Sequence, residues 1–128
     1  MKVHLYRVIL PVADIEAAAR FYGGLLGQPG ERVSPGRHYF DCGGTVLACY
    51  DPAADGDETG EGWRHHESQY VYFAVPDVEA VRARAKELGA RDVTPVAAMP
   101  WGETLFYARD PFGNPISFVK QGTEFTGA

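Results

Sequence analysis

No run of apolar residues in this chain approaches the roughly 20 that a membrane-spanning helix needs, so a helical anchor is not expected. Cysteine is scarce. Cys42 and Cys49 alone occur in 128 residues, too few for a disulfide framework and without zinc-ligand spacing. A reduced, cytoplasmic setting is the expectation. Clusters of Lys and Arg are missing as well, which argues against a nucleic-acid partner. The opening MKVHLYRVIL has no small-residue cleavage site and runs straight into a strand pattern. It reads as structure rather than as a signal peptide.

What is there is an ordinary balance for a soluble domain, 45% apolar and 23% charged, in a chain long enough for a real core. The net charge of −5 has one source. The stretch DPAADGDETGEG, residues 51–62, holds Asp51, Asp55, Asp57, Glu58 and Glu61 and no base, and the rest of the chain is neutral. Two readings of it stand: a solvated, mobile loop, or an acidic rim that attracts a cationic ligand.

The chain repeats itself. RVILPVADIEAAARFYGGLLG (7–27) aligns with YVYFAVPDVEAVRARAKELG (70–89) at an offset of 63, pairing Val8 with Val71, Asp14 with Asp77 and Glu16 with Glu79. FDCGGTVLA (40–48) aligns with RDPFGNPIS (109–117) at an offset of 69, pairing Asp41 with Asp110 and Gly44 with Gly113. An internal repeat outweighs any single residue in predicting the fold. Each copy begins with a β-branched and aromatic run, then an Asp suited to cap a helix. Apolar residues follow at helical spacing, Ile15, Ala18, Tyr22 and Leu25 in one copy and Val78, Val81, Ala85 and Leu88 in the other. Gly27 and Gly89 stand just past the helix ends. Strand runs split by turns complete each unit. The prediction is an α+β fold of two βαβββ modules with curved mixed sheets, their free faces forming open-barrel clefts. One domain spans 1–128, with module one at about 1–55, module two at about 68–122 and an acidic linker at 51–67.

The doubled pattern, together with PWGETLFYARDPFGN (100–114), resembles the vicinal oxygen chelate superfamily: glyoxalase I, extradiol dioxygenases, and fosfomycin and bleomycin resistance proteins. The resemblance implies two βαβββ modules, often a homodimer, and a divalent metal that chelates two neighbouring substrate oxygens. It places the metal ligands at the start of each module's first strand and the middle of its last. Those places hold Arg7, Ala48, Tyr70 and Ser117. Arginine has no lone pair to offer and alanine has no donor, while tyrosine and serine are poor ligands near neutral pH. Neither a metal nor another cofactor is therefore expected. Among the histidines, His65 and His66 read as surface residues and His4 faces away from Arg7, whereas His38 shares a strand with Tyr39 and Phe40 and is read as lining the cleft. Nucleophilic catalysis has weak support, since neither cysteine has an adjacent His or Lys and Ser117 has no sequence-local base; no catalytic residue is assigned.

The expected ligand-binding set is Arg7, His38, Phe40, Ala48, Tyr50, Trp63, Tyr70, Tyr72, Trp101, Phe106 and Ser117. On the seventh strand alternation leaves two faces open: Leu105 with Tyr107, or Thr104, Phe106 and Ala108. One cation among aromatics suits a flat organic ligand held by stacking. Taken singly, each aromatic fits packing as well, and Arg7 fits neutralisation by Glu103, Asp110 or another internal carboxylate. The resulting expectation is a metal-free, homodimeric protein, close in style to the bleomycin-resistance branch, that sequesters an aromatic antibiotic or metabolite, with no membrane partner. The alternatives are a metal-dependent lyase, isomerase or dioxygenase with relocated ligands, and an interaction module with a filled barrel.

Overall fold

In the computed structural model, which describes residues 2–59, 63–64 and 66–125, the chain divides into two compact units between residues 65 and 66. Unit one contains β1 (Arg7–Pro11), α1 (Ile15–Leu26), β2 (Glu31–Ser34), β3 (Arg37–Cys42) and β4 (Thr45–Tyr50), then a short 3₁₀ helix, Pro52–Asp55. Unit two contains β5 (Val71–Val75), α2 (Val78–Glu87), β6 (Ala97–Ala98), β7 (Thr104–Arg109) and β8 (Pro115–Lys120). Both units share one topology. The sheet orders are β1-β4-β3-β2 and β5-β8-β7-β6, with one parallel pair each, β1 with β4 and β5 with β8. Among the described residues each sheet is four-stranded and open, and the architecture is α+β. No helix among the described residues is long and apolar enough to cross a membrane.

Local chemistry sets the helix ends. The Asp14 carboxylate accepts from the Ala17 amide at 3.1 Å and that of Asp77 from the Ala80 amide at 3.0 Å, each satisfying a donor the first turn leaves open. Helix α1 stops at Gly27, whose φ of 69° is left-handed and suits a residue without Cβ. It buries Ile15, Ala18, Phe21, Tyr22 and Leu25. Tyr22 packs 6.4 Å from Phe40 on β3, ring to ring, and α1 lies on β3 and β4. Each such large buried side chain is worth roughly 1.5–3 kcal/mol. Helix α2 buries Val78, Val81 and Ala85 and lies on β7 and β8; Leu88, expected on that apolar face, caps the helix instead. The stacked rings Phe73, Phe118 and Phe106 form the aromatic layer of this unit.

The DPFGN turn is built around a fully buried carboxylate. Asp110 Oδ1 accepts from the amides of Phe112 and Asn114 at 2.9 and 2.8 Å, and the Asn114 side-chain amide donates to Oδ2 at 2.8 Å. The motif thus holds a five-residue loop in shape. Its counterpart is the Gly43–Gly44 turn between Cys42 and Thr45, where both glycines take positive φ, as a two-residue hairpin requires. Tyr39 pairs with Ala48 and Tyr107 with Ser117, so the β3-to-β7 offset is 68 where β4 to β8 is 69. One extra residue in the second hairpin explains why alternation could not be carried across it.

Candidate functional site

Cross-strand register decides which side chains share a face, since directly paired residues project to the same side. In unit one, Ile9, Ala48 and Tyr39 are paired, and Arg7, Val46, Arg37 and Tyr50 share their side by alternation. This is the face away from α1. Arg7 is exposed, donates to the Tyr39 hydroxyl at 3.1 Å and lies 4.9 and 5.3 Å from the Tyr6 and Tyr39 ring centres. It takes part in none of the ion pairs that join described residues. At the far end, Arg37 stacks over Tyr50 at 4.3 Å, and Trp63 meets the same ring edge-on at 5.2 Å.

The acidic stretch belongs to this corner. Asp55 accepts from Ser34 Oγ at 2.8 Å and from the Gly36 amide at 2.6 Å, and pairs with Arg37 at 3.8 Å. Asp57 accepts from the Tyr50 hydroxyl, a bond that raises the pKa of the phenol. Asp51 is buried. Residues 51–57 are therefore a packed part of unit one. For Asp55 and Asp57 the reading as a solvated loop or a free acidic rim is corrected here, because their carboxylates find donors in the β2–β3 turn and on β4; Glu58 is exposed, and Glu61 lies outside the described residues.

In unit two, Tyr72, Ser117 and Tyr107 are paired across three strands, with Tyr70 on the same side by alternation. Tyr70 and Tyr107 meet edge-on at 5.3 Å, and Tyr72 lies 6.3 and 6.4 Å from the two. Tyr72 is 50% exposed and Tyr70 37%, whereas Ser117 beneath them is fully buried and donates to the Phe106 carbonyl at 3.0 Å. The Tyr72 pKa is pushed up to about 12, first by burial, then by its hydrogen bond with Tyr107, and further by the charge of Glu103. Trp101, at the tip of the β6–β7 turn, donates from Nε1 to Glu103 Oε1 at 2.6 Å.

Three expected site residues are placed elsewhere. His38, Phe40 and Phe106 lie on the opposite, helix-covered sides of their sheets. Phe40 and Phe106 are fully buried in aromatic layers. His38 receives a hydrogen bond from Arg32 Nε at Nδ1, 3.2 Å, and donates from Nε2 to the Pro29 carbonyl at 2.8 Å. The reason is parity: the Gly43–Gly44 turn pairs residue 39, and not 38 or 40, with Ala48. Tyr39 was missed for the same reason, and the two-glycine turn was the signal that points to it; on β7 the alternative with Leu105 and Tyr107 is the one that shares the side of Ser117. Glu103 and Arg37 had no signal of their own.

Residues 4–118 match the family described as Glyoxalase/Bleomycin resistance protein/Dioxygenase superfamily. The chain belongs to this superfamily. Solved members share its fold at low identity. A glyoxalase-related enzyme from Fulvimarina pelagi is 24% identical, with a TM-score of 0.75 over 92% of this chain and 88% of its own. A glyoxalase/bleomycin resistance protein from Albidiferax ferrireducens is 22% identical, with a TM-score of 0.73 over 90% and 96%. Lactoylglutathione lyase from Agrobacterium tumefaciens is 22% identical, with a TM-score of 0.70 over 94% and 95%. No curated protein matches the chain.

The superfamily's metal places do not fit a metal here. Arg7 brings a permanent cation, Ala48 nothing, and the Ser117 hydroxyl is enclosed and already committed to a carbonyl. Tyr70 alone retains an oxygen. Relocated ligands fare no better. His38 has both ring nitrogens engaged, His66 Nδ1 accepts from the Ser68 amide at 3.2 Å, and His4 Nε2 lies 2.7 Å from the Gly44 carbonyl. Among the described residues no three of His, Cys, Asp and Glu come together; His65 lies outside them. The Cys42 thiol is pushed up by burial, with Asp41 adding to it, the wrong direction for a nucleophile.

Proposed function

We propose that this superfamily member is a binding protein for a small aromatic molecule that works without a metal, sequestering an antibiotic or metabolite as a bleomycin-resistance-type protein does. The supporting observation is the exposed tyrosine face of unit two, Tyr70, Tyr72 and Tyr107, standing over a Ser117 whose hydroxyl is already spent. Rings at 5–6 Å and at steep angles offer both faces and edges to a flat ligand, and each stacked contact adds about 0.5–1.5 kcal/mol beyond area burial. On unit one, Arg7 held over Tyr39 and Tyr6 offers a fixed cation for a carboxylate, a phosphate or a ring face. Val3, Leu5 and Ile9, exposed on and before the edge strand β1, suit a second copy of the chain, and the two free cysteines suit the cytoplasm.

The test is a titration of the pure protein with a panel of aromatic metabolites and copper-loaded bleomycin, followed by Trp63 and Trp101 fluorescence and by melting temperature. A saturable response with a rise in melting temperature is expected, lost in Tyr72→Leu. Silence across the panel, with and without added divalent metal, overturns the reading.

A further inference from the structure

The two units present faces of opposite electrostatic character. The face of unit one carries Arg7 and Arg37, each lying over a tyrosine ring. The face of unit two has three tyrosines, and the charged group at its edge is an acid. Glu103 is drawn onto this side by backbone pairing: its carbonyl accepts from the Met99 amide at 2.7 Å, extending the β6–β7 ladder by one step. Alternation then sets Glu103, Leu105 and Tyr107 on one side of the strand. The Trp101 indole donates to its carboxylate, which fixes a fourth ring beside the acid at the tip of the turn. Trp101 is 62% exposed, so its π-face stays open to solvent.

The basic residue that shares this face is turned away. Arg109 projects to the Tyr107 side, yet its Nη1 donates to the Gly113 carbonyl at 3.0 Å and its Nε pairs with Asp92 at 3.7 Å. It is consumed by the hairpin end. What remains is a set of angled π-faces with a carboxylate at the margin. Ring faces carry the negative end of the aromatic quadrupole and attract cations rather than anions. The raised pKa of Tyr72 points the same way, because the charge of Glu103 already disfavours a phenolate there.

We infer that Tyr70, Tyr72 and Tyr107, with Glu103 and Trp101 at the margin, form a recognition face for an organic cation, a quaternary ammonium or a planar heteroaromatic cation. This rests on the proposed binding function and specifies its ligand class. The rings supply the cation–π surface. Glu103 supplies a long-range pull without a buried ion pair, so that part of the affinity falls with salt.

Calorimetric titration of N-methylquinolinium against quinoline, and of choline against its uncharged isostere dimethylbutanol, tests the charge at constant shape. Each cation is expected to bind roughly tenfold more tightly than its neutral partner. Tyr72→Leu is expected to abolish binding of both cations, and Glu103→Gln to weaken cation binding roughly threefold while leaving quinoline unchanged. An unchanged far-ultraviolet spectrum and melting temperature in Glu103→Gln keep the comparison independent of folding. If quinoline binds as tightly as its methylated cation, the cation preference is wrong and the aromatic-binding function stands. If neither member of either pair binds, and the aromatic panel is silent as well, both fail together. Cation binding undiminished in Tyr72→Leu locates it elsewhere and overturns the assignment of this face.

Discussion

Tyr72 carries more information than its position on a strand suggests. It is half exposed, yet its phenol is held neutral by burial, by Tyr107 and by Glu103, with a pKa of about 12 against an ordinary 10. The folded state therefore holds this proton more tightly than the unfolded chain does. The resulting stabilisation is complete below about pH 10 and is lost as pH rises through about 12. Chemical denaturation across that window should show stability falling less steeply in Tyr72→Phe than in the wild type. Solvent screening at a half-exposed ring reduces the effect below what the shift alone implies. Tyr50 titrates with the same sign through Asp57, so a residual slope remains in the variant. At this scale the residue types at the superfamily's metal places were legible from motif positions alone, because arginine has no lone pair to offer and alanine no donor in any fold.

At the scale of elements, the turns hold the register and the register chooses the site. The β2–β3 turn leaves no room for a side chain at Gly36. A Cβ on Gly36 would sit 2.2 Å from the Asp51 carbonyl oxygen and 3.0 Å from the Asp55 amide nitrogen. Both are backbone atoms that cannot swing aside. Gly36→Ala is expected to destabilise the protein by about 3 kcal/mol, read as a lower denaturant midpoint, and to loosen Arg37 from Tyr50. Helix caps at Asp14 and Asp77 were readable because capping is local. Strand parity was not. His38 and Phe40 lie beside Tyr39 in sequence, and only pairing through Gly43–Gly44 tells which of the three faces away from α1. On β7 the extra hairpin residue shifts the repeat from 69 to 68, which sends Phe106 into the layer under α2 and Tyr107 to the open face.

For the molecule as a whole, superfamily membership fixes a fold and leaves the chemistry to residues. With no donor set at Arg7, Ala48 and Ser117, protein purified after growth with zinc, nickel, manganese and iron should hold less than stoichiometric metal by mass spectrometry. A stoichiometric ion lost on His66→Ala would instead reinstate a metal enzyme. The sequence by itself determined the repeat, the helices with their caps and the superfamily, since each rests on spacing within a short stretch or on the chemistry of one side chain. Only the tertiary structure decided which face each aromatic joins, where the acidic stretch spends its charge and that Glu103 stands beside Tyr72, because these depend on strand register and on contacts between residues far apart in the chain.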